Sequence, residues 1–167
     1  RLEIERERFV GTRGRGGVFS QRQRVNAVSE AHTINVKTIP SSFSGENWIP
    51  AKALGVKEAW TETTPVFRVG EPVNRQLAIS AIGLSDAVLP QLGKMEVANA
   101  KIYADPPATE NRISPDGITA LQITTVGVVP TKEGELVLPE IRIPWWNTQT
   151  DREEIAVIPS ATYQVLP

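Results

Sequence analysis

Gly134-Glu135-Leu136-Val137-Leu138-Pro139-Glu140-Ile141-Arg142-Ile143-Pro144-Trp145-Trp146 is the stretch that decides the fold, because its apolar residues recur with a period of two. Val137, Pro139, Ile141, Ile143 and Trp145 fall on one parity, with Glu140, Arg142 and Trp146 on the other. Neighbours on a strand point to opposite faces, so Trp145 is predicted to enter a core and Trp146 to face outward, and truncating Trp145 should cost the more stability. Leu136 and Leu138 lie on the second parity. Either the first half of the strand is covered on both faces, or a bulge near Pro139 shifts the register. Both alternatives keep Ile141, Ile143 and Trp145 together.

Working outward, the same alternation recurs between turn residues. Leu77, Ile79 and Ala81 share a parity after Gly70-Glu71-Pro72, and Leu121, Ile123 and Thr125 share one after Asp116-Gly117; both segments read as half-buried strands. A last strand carries Ala161, Tyr163 and Val165 on one face. Thirteen prolines and twelve glycines are scattered along the chain, which leaves little room for the i, i+3, i+4, i+7 pattern of an amphipathic helix. The expected fold is all-β: an immunoglobulin-like antiparallel sandwich of about seven strands, with helix under roughly a tenth of the chain.

The 167 residues suffice for one domain and part of a second, at about 100 to 150 residues per domain. The turn-forming run Ile39 to Asn47 reads as a linker. The expected organisation is the last strands of an incomplete β domain over 1–40, a linker over 41–49 and the sandwich over 50–167. A weak repeat agrees with this: Thr33-Ile34-Asn35-Val36-Lys37-Thr38-Ile39-Pro40 is similar to Thr162-Tyr163-Gln164-Val165-Leu166-Pro167. Arg1 is not a translation start, so the chain is expected to be an excised piece. Strands at Arg22 to Ala27 and Thr33 to Lys37 could not bury their apolar faces alone, so residues 1–40 are expected to pair with each other and lean on residues 50–167, to pair with a neighbouring molecule, or to fray.

With 40% hydrophobic and 22% charged residues, the composition is that of a globular protein. Net charge near zero argues against general nucleic-acid binding. It is unevenly spread: residues 1–40 hold seven Arg and one Lys against four Glu, about +4, leaving about −5 elsewhere. The absence of cysteine excludes disulfides, thiolate metal sites and cysteine nucleophiles. No apolar run has the roughly 18 to 20 residues of a membrane span, and no signal-peptide pattern opens the chain.

The candidate sites each have a plainer reading. His32, the one histidine, shares the parity of Ile34 and Val36 and reads as a rim or packing residue; a hydrolase would need a cleft joining it to carboxylates. The run from Asp105 to Asp116 offers Asp105, Glu110, Asn111 and Asp116 to calcium, but it lacks EF-hand spacing, and Pro106, Pro107 and Pro115 favour a solvated connection. Gly11-Thr12-Arg13-Gly14-Arg15-Gly16-Gly17 lacks the Lys-Ser/Thr ending of a phosphate-binding loop and reads as a flexible hairpin connection. Arg75 stands on the apolar parity of Leu77, so it must snorkel to the rim or pair with a carboxylate such as Glu71. Of the four tryptophans, Trp48 and Trp60 are expected to pack the junction beside the linker, and Trp146 to be exposed. Trp146, Arg75 and Trp48 are the candidate interaction surface, and no catalytic, cofactor or metal residue is assigned.

An ordered series of segments resembles the C-terminal immunoglobulin-like module of BatD-like aerotolerance-associated exported proteins. It comprises Asn47-Trp48-Ile49-Pro50-Ala51-Lys52, Val69-Gly70-Glu71-Pro72-Val73-Asn74-Arg75, Gly83-Leu84 leading to Leu89-Pro90, Tyr103-Ala104-Asp105, and Leu138-Pro139 leading to Trp145-Trp146-Asn147-Thr148. One departure is Tyr103-Ala104-Asp105, where the family often has Pro between Tyr and Asp. The resemblance implies a periplasmic or otherwise extracytoplasmic protein, anchored in the inner membrane through parts outside this chain. It also implies association with von Willebrand A-type and tetratricopeptide-repeat membrane proteins and a MoxR-type ATPase system. No enzymatic reaction and no cofactor come with it. The expected role is a non-catalytic interaction or scaffold module linked to oxygen tolerance; the alternative is a carbohydrate-binding sandwich, which would show an exposed planar row of aromatic rings.

Overall fold

A computed structural model describes the backbone of residues 2–6 and 23–27 and the whole of residues 29–167. The chain forms two compact units, Arg1–Thr38 and Ile39–Pro167. In the first, β1 (Leu2–Arg6) pairs antiparallel with β2 (Gln23–Ala27), Leu2 opposite Ala27 and Arg6 opposite Gln23. The expected hairpin connection Gly11–Gly17 lies outside the described residues. The strand expected over Thr33 to Lys37 does not form: among the described residues this run belongs to no ladder, and all its residues are exposed, so its likeness to the last strand of the chain does not extend to structure.

The second unit is an all-β sandwich with antiparallel sheets. Its strands are β3 (Pro50–Ala51), β4 (Ala53–Trp60), β5 (Phe67–Arg68), β6 (Val73–Ile82), β7 (Ala100–Ala104), β8 (Ala108–Ser114), β9 (Gly117–Pro130), β10 (Gly134–Leu138), β11 (Ile141–Asn147), β12 (Arg152–Ile158) and β13 (Ala161–Leu166). These are eleven segments where about seven strands were expected, because prolines and turns divide longer strands and two of the segments have only two residues. The helical element among the described residues is a single 3-10 turn at Asp86–Val88.

One sheet runs β4-β6-β9-β7, with β8 following β7 along the same edge of β9. Leu77, Ile79 and Ala81 of β6 are buried as their parity predicts. On β9 the buried parity is the other one, Ala120, Gln122, Thr124, Val126 and Val128, while Leu121, Ile123 and Thr125 are only half-buried. Both parities of β9 are largely apolar, so alternation alone does not separate its faces. Gln122 is accommodated inside because its Nε2 donates to the Pro90 carbonyl at 2.7 Å.

Facing this sheet is a long ribbon. β10 pairs with β13 from Gly134 opposite Val165 to Leu138 opposite Ala161, and β11 pairs with β12 from Ile141 opposite Ile158 to Asn147 opposite Arg152. The two ladders keep one register, which places Pro139 opposite Ser160 and Glu140 opposite Pro159. Leu136, Leu138 and Val165 are buried before this break, Ile143, Trp145 and Ile158 after it, so both strands exchange faces at the same rungs. Neither sequence-based alternative holds: Val137 is 47% exposed, which excludes cover on both faces, and the unbroken register excludes a bulge in one strand. The ribbon instead rolls over as a unit where prolines leave it without N–H donors.

The residues expected to form a linker belong to the second unit. Ile49 and Ala51 are core residues, Trp146 N–H donates to the Ile49 carbonyl at 2.9 Å, and β3 pairs parallel with Trp146 and Asn147. Before β3, Ser44 donates through its N–H (2.5 Å) and Oγ (2.8 Å) to the Glu153 carboxylate of β12. Phe43 meets Trp48 edge-on at 5.0 Å, and Trp48 lies on Trp146 at 5.7 Å. This strap corrects the expectation for Trp146. Its strand face is the opposite of Trp145's, yet the two rings are 8% and 4% exposed, because residues 43–48 cover the outer face. The crossing from β6 to β7 closes one flank of the core with Leu84, Leu89 and Leu92. It turns at Gly93, with φ +95°, where a Cβ would stand 2.9 Å from Val126 Cγ2.

Trp145→Ala and Trp146→Ala are therefore each expected to lose about 3 to 5 kcal/mol in denaturant titrations. A loss at Trp146 below about 0.5 kcal/mol, the range of surface substitutions, would show that the strap does not cover it in solution.

Candidate functional site

Of the three residues assigned to an interaction surface, the fold brings Trp48 and Trp146 together and places Arg75 elsewhere; Trp146 and Arg75 are both buried. Arg75 is 2% exposed, on the inward face of β6. It neither reaches the rim nor meets Glu71. Nη1 donates to Glu58 Oε1 at 2.7 Å, Nη2 lies 2.8 Å from Met95 Sδ, and the guanidinium stands 5.8 Å from the centre of the Trp60 ring. Among the described residues its Nε has no partner. Trp60, opposite Arg75 on β4, in turn packs on Phe67 (5.6 Å) and Tyr163 (5.5 Å). The sequence carried a signal for Glu58: Leu54, Val56, Glu58 and Trp60 share a parity, so β4 and β6 each place one charge of opposite sign on an apolar face. His32 is exposed, and among the described residues no three His, Cys, Asp or Glu side chains converge as a metal site would require.

One open edge among the described residues is one that sequence reading missed. The oxygen-rich run expected to be a solvated connection is mostly strand: β8 covers Ala108–Ser114 and pairs with β9 from Ala108 opposite Ile123 to Ser114 opposite Gly117. β7 pairs with β9 in a register offset by one, Ala104 opposite Val126, and Asp105 N–H donates to the Thr125 carbonyl at 2.9 Å. Pro106 and Pro107 thus both stand against Thr124, as a bulge on an edge strand. Thr125 aims its carbonyl at this edge, so the odd-numbered residues of β9 bond to Ala108, Glu110, Arg112 and Ser114. Thr109, Asn111 and Ile113 consequently turn their backbone N–H and C=O away from the sheet. All seven residues of β8 are exposed, and Ile113 is exposed at 84%.

Polar contacts brace this edge. On the outer face Glu110 and Arg112 pair at 2.7 Å. On the other face Asn111 Nδ2 donates to Asp86 Oδ1 at 2.6 Å, and Asp86 N–H donates to Asn111 Oδ1 at 2.9 Å. Hydrogen bonds from Thr109 first, and Asn111 second, hold the Asp86 carboxyl below its ordinary value of 3.8.

A second opening, a cleft of about 330 Å3, lies between residues 44–49, 90–92 and 141–144. Ile49, Leu92 and Ile143 line it, and Pro144 offers it no N–H, so as a strand-binding edge it is shorter than β8. Comparison of the chain with protein-family profiles, curated proteins and solved structures finds no match.

Arg75→Ala should cost roughly 3 to 5 kcal/mol, since it removes one partner of a buried pair. The double change Arg75→Met/Glu58→Leu should recover most of that in chemical denaturation. The folded Asp86 carboxyl titrates below its unfolded value, so its hold on β8 is present above the ordinary carboxylate range and is lost as pH falls through and below it. Amide exchange of residues 86–88, compared at each pH with that of Asp86→Asn, should show the difference between the two proteins vanish in acid.

Proposed function

We propose that this chain is a non-catalytic interaction or scaffold module of a membrane-associated, BatD-like exported protein linked to oxygen tolerance. It works on the extracytoplasmic side with von Willebrand A-type and tetratricopeptide-repeat membrane proteins and a MoxR-type ATPase system. The residue series from Asn47 to Thr148 supports the family, and the open edge of β8 carries the reading of its role. Outward backbone groups at Thr109, Asn111 and Ile113 give a partner a sheet edge to extend, with main-chain hydrogen bonds for affinity and flanking side chains for selection.

The placement of the tryptophans favours a protein partner over a sugar. Trp145 is in the core, Trp146 lies under Trp48, and Trp60 packs on Phe67 and Tyr163, so the rings form no exposed planar row. Calorimetry with a purified von Willebrand A-type domain encoded beside the full-length protein should show saturable binding. Ile113→Pro should weaken it, since that change removes an outward N–H and leaves the β9 ladder intact. Binding to a glycan panel, with none to the protein domain, would replace this reading with the carbohydrate one.

A further inference from the structure

The three most exposed large apolar side chains among the described residues are Val36 (87%), Ile113 (84%) and Ile34 (81%). Two lie in Thr33 to Lys37, which alternates like a strand but joins no ladder; the third lies on β8, whose outer edge meets no strand among the described residues. We infer that the segment Thr33–Lys37 of one copy of this chain adds as an antiparallel strand to the free edge of β8 in a second copy.

The residues select a register. With Ile34 opposite Ile113, Val36 stands opposite Asn111, so both apolar side chains of the segment share the face that carries Ile113. Ile113 and Asn111 already turn their backbone groups outward, so these become the hydrogen-bonded pairs. The same register sets Lys37 opposite Glu110 and Thr33 opposite Ser114 in the closer, non-hydrogen-bonded pairs. Lys37 then meets the carboxylate that Arg112 holds on the outer face. Setting Val36 opposite Ile113 instead would put Ile34 against Pro115, in the turn, and lose both matches. A strand added to β8 cannot run on past its upstream end, since Pro106 and Pro107 bulge there and carry no N–H. This goes beyond the proposed function, because the partner is the chain itself.

Sedimentation of the whole chain over a concentration series should show reversible self-association. Ile113→Lys and the double change Ile34→Lys/Val36→Lys should each weaken it roughly tenfold or more, all three positions being exposed and harmless to folding. Mixing the two variant chains should restore a complex, because one keeps the edge and the other the segment. The chain has no cysteine, so register can be read by cross-linking: Thr33→Cys mixed with Ser114→Cys should form a mixed disulfide, while Thr33→Cys with Arg112→Cys should not. A monomer at every concentration overturns the inference. So does association that survives both sets of lysine substitutions, or that cross-links equally in both cysteine pairs.

Discussion

Two successive rungs of the ribbon from Gly134 to Leu166 carry a proline, first Pro139 on one strand and then Pro159 on the other, and one of any two successive antiparallel rungs is a hydrogen-bonded pair. Hydrogen-bonded rungs hold neighbouring strands to a modest twist, and a pair of rungs without them lets the ribbon turn further. Because both strands lose the constraint together, they roll together and their register survives. Leu136, Leu138 and Val165 then pack with Phe67 and Val128, and Ile143, Trp145 and Ile158 pack with Leu77, Ile79 and Val126. The single inner face of the β6–β9 sheet thus receives two apolar clusters from one ribbon. The same roll turns the outer face of β11 and β12 toward the strap, which is why Trp146 needs Phe43 and Trp48 to cover it.

Arg75 sits between those clusters on β6, with Val73 on one side and Leu77 on the other. A guanidinium there is costly to desolvate, and Glu58, the sulfur of Met95 and the face of Trp60 offset that cost with charge, a polarizable acceptor and a ring quadrupole. An apolar residue of similar volume would fill the same space. What the ion pair adds is positional: a one-residue slip of β4 on β6 would turn Glu58 to the opposite face and strand a buried charge.

Alternation made the all-β class, the inward face of β6 and the burial of Trp145 legible in the sequence, because each rests on a local pattern that the fold leaves intact. It failed where cover comes from afar. Trp146 obeys its parity and is still buried, since the residues that cover it lie about a hundred positions upstream in a run whose composition is that of a loop. Turn-rich composition describes how a chain bends and is silent on what it lies against. β9 defeated the face assignment because it is apolar on both parities, and Arg75 found Glu58 in place of Glu71 because cross-strand pairing outranks nearness in sequence. The β8 edge went unseen because Asp, Asn, Pro and Ser mark loops, and on an edge strand they are also the residues that limit pairing.

That double meaning bears on why the edge stays open. An unpaired edge is ordinarily blunted along its whole length, by prolines, bulges or charge. Here the blunting is confined: Pro106 and Pro107 stop addition at the bulge, and beyond it β8 presents three outward backbone positions, braced by Asp86 on one face and by the Glu110–Arg112 pair on the other. Exposed Ile113 adds an apolar contact where an edge guarded against all comers would carry a lysine. An edge held straight as far as a proline bulge admits a strand of about five residues, the common strand length.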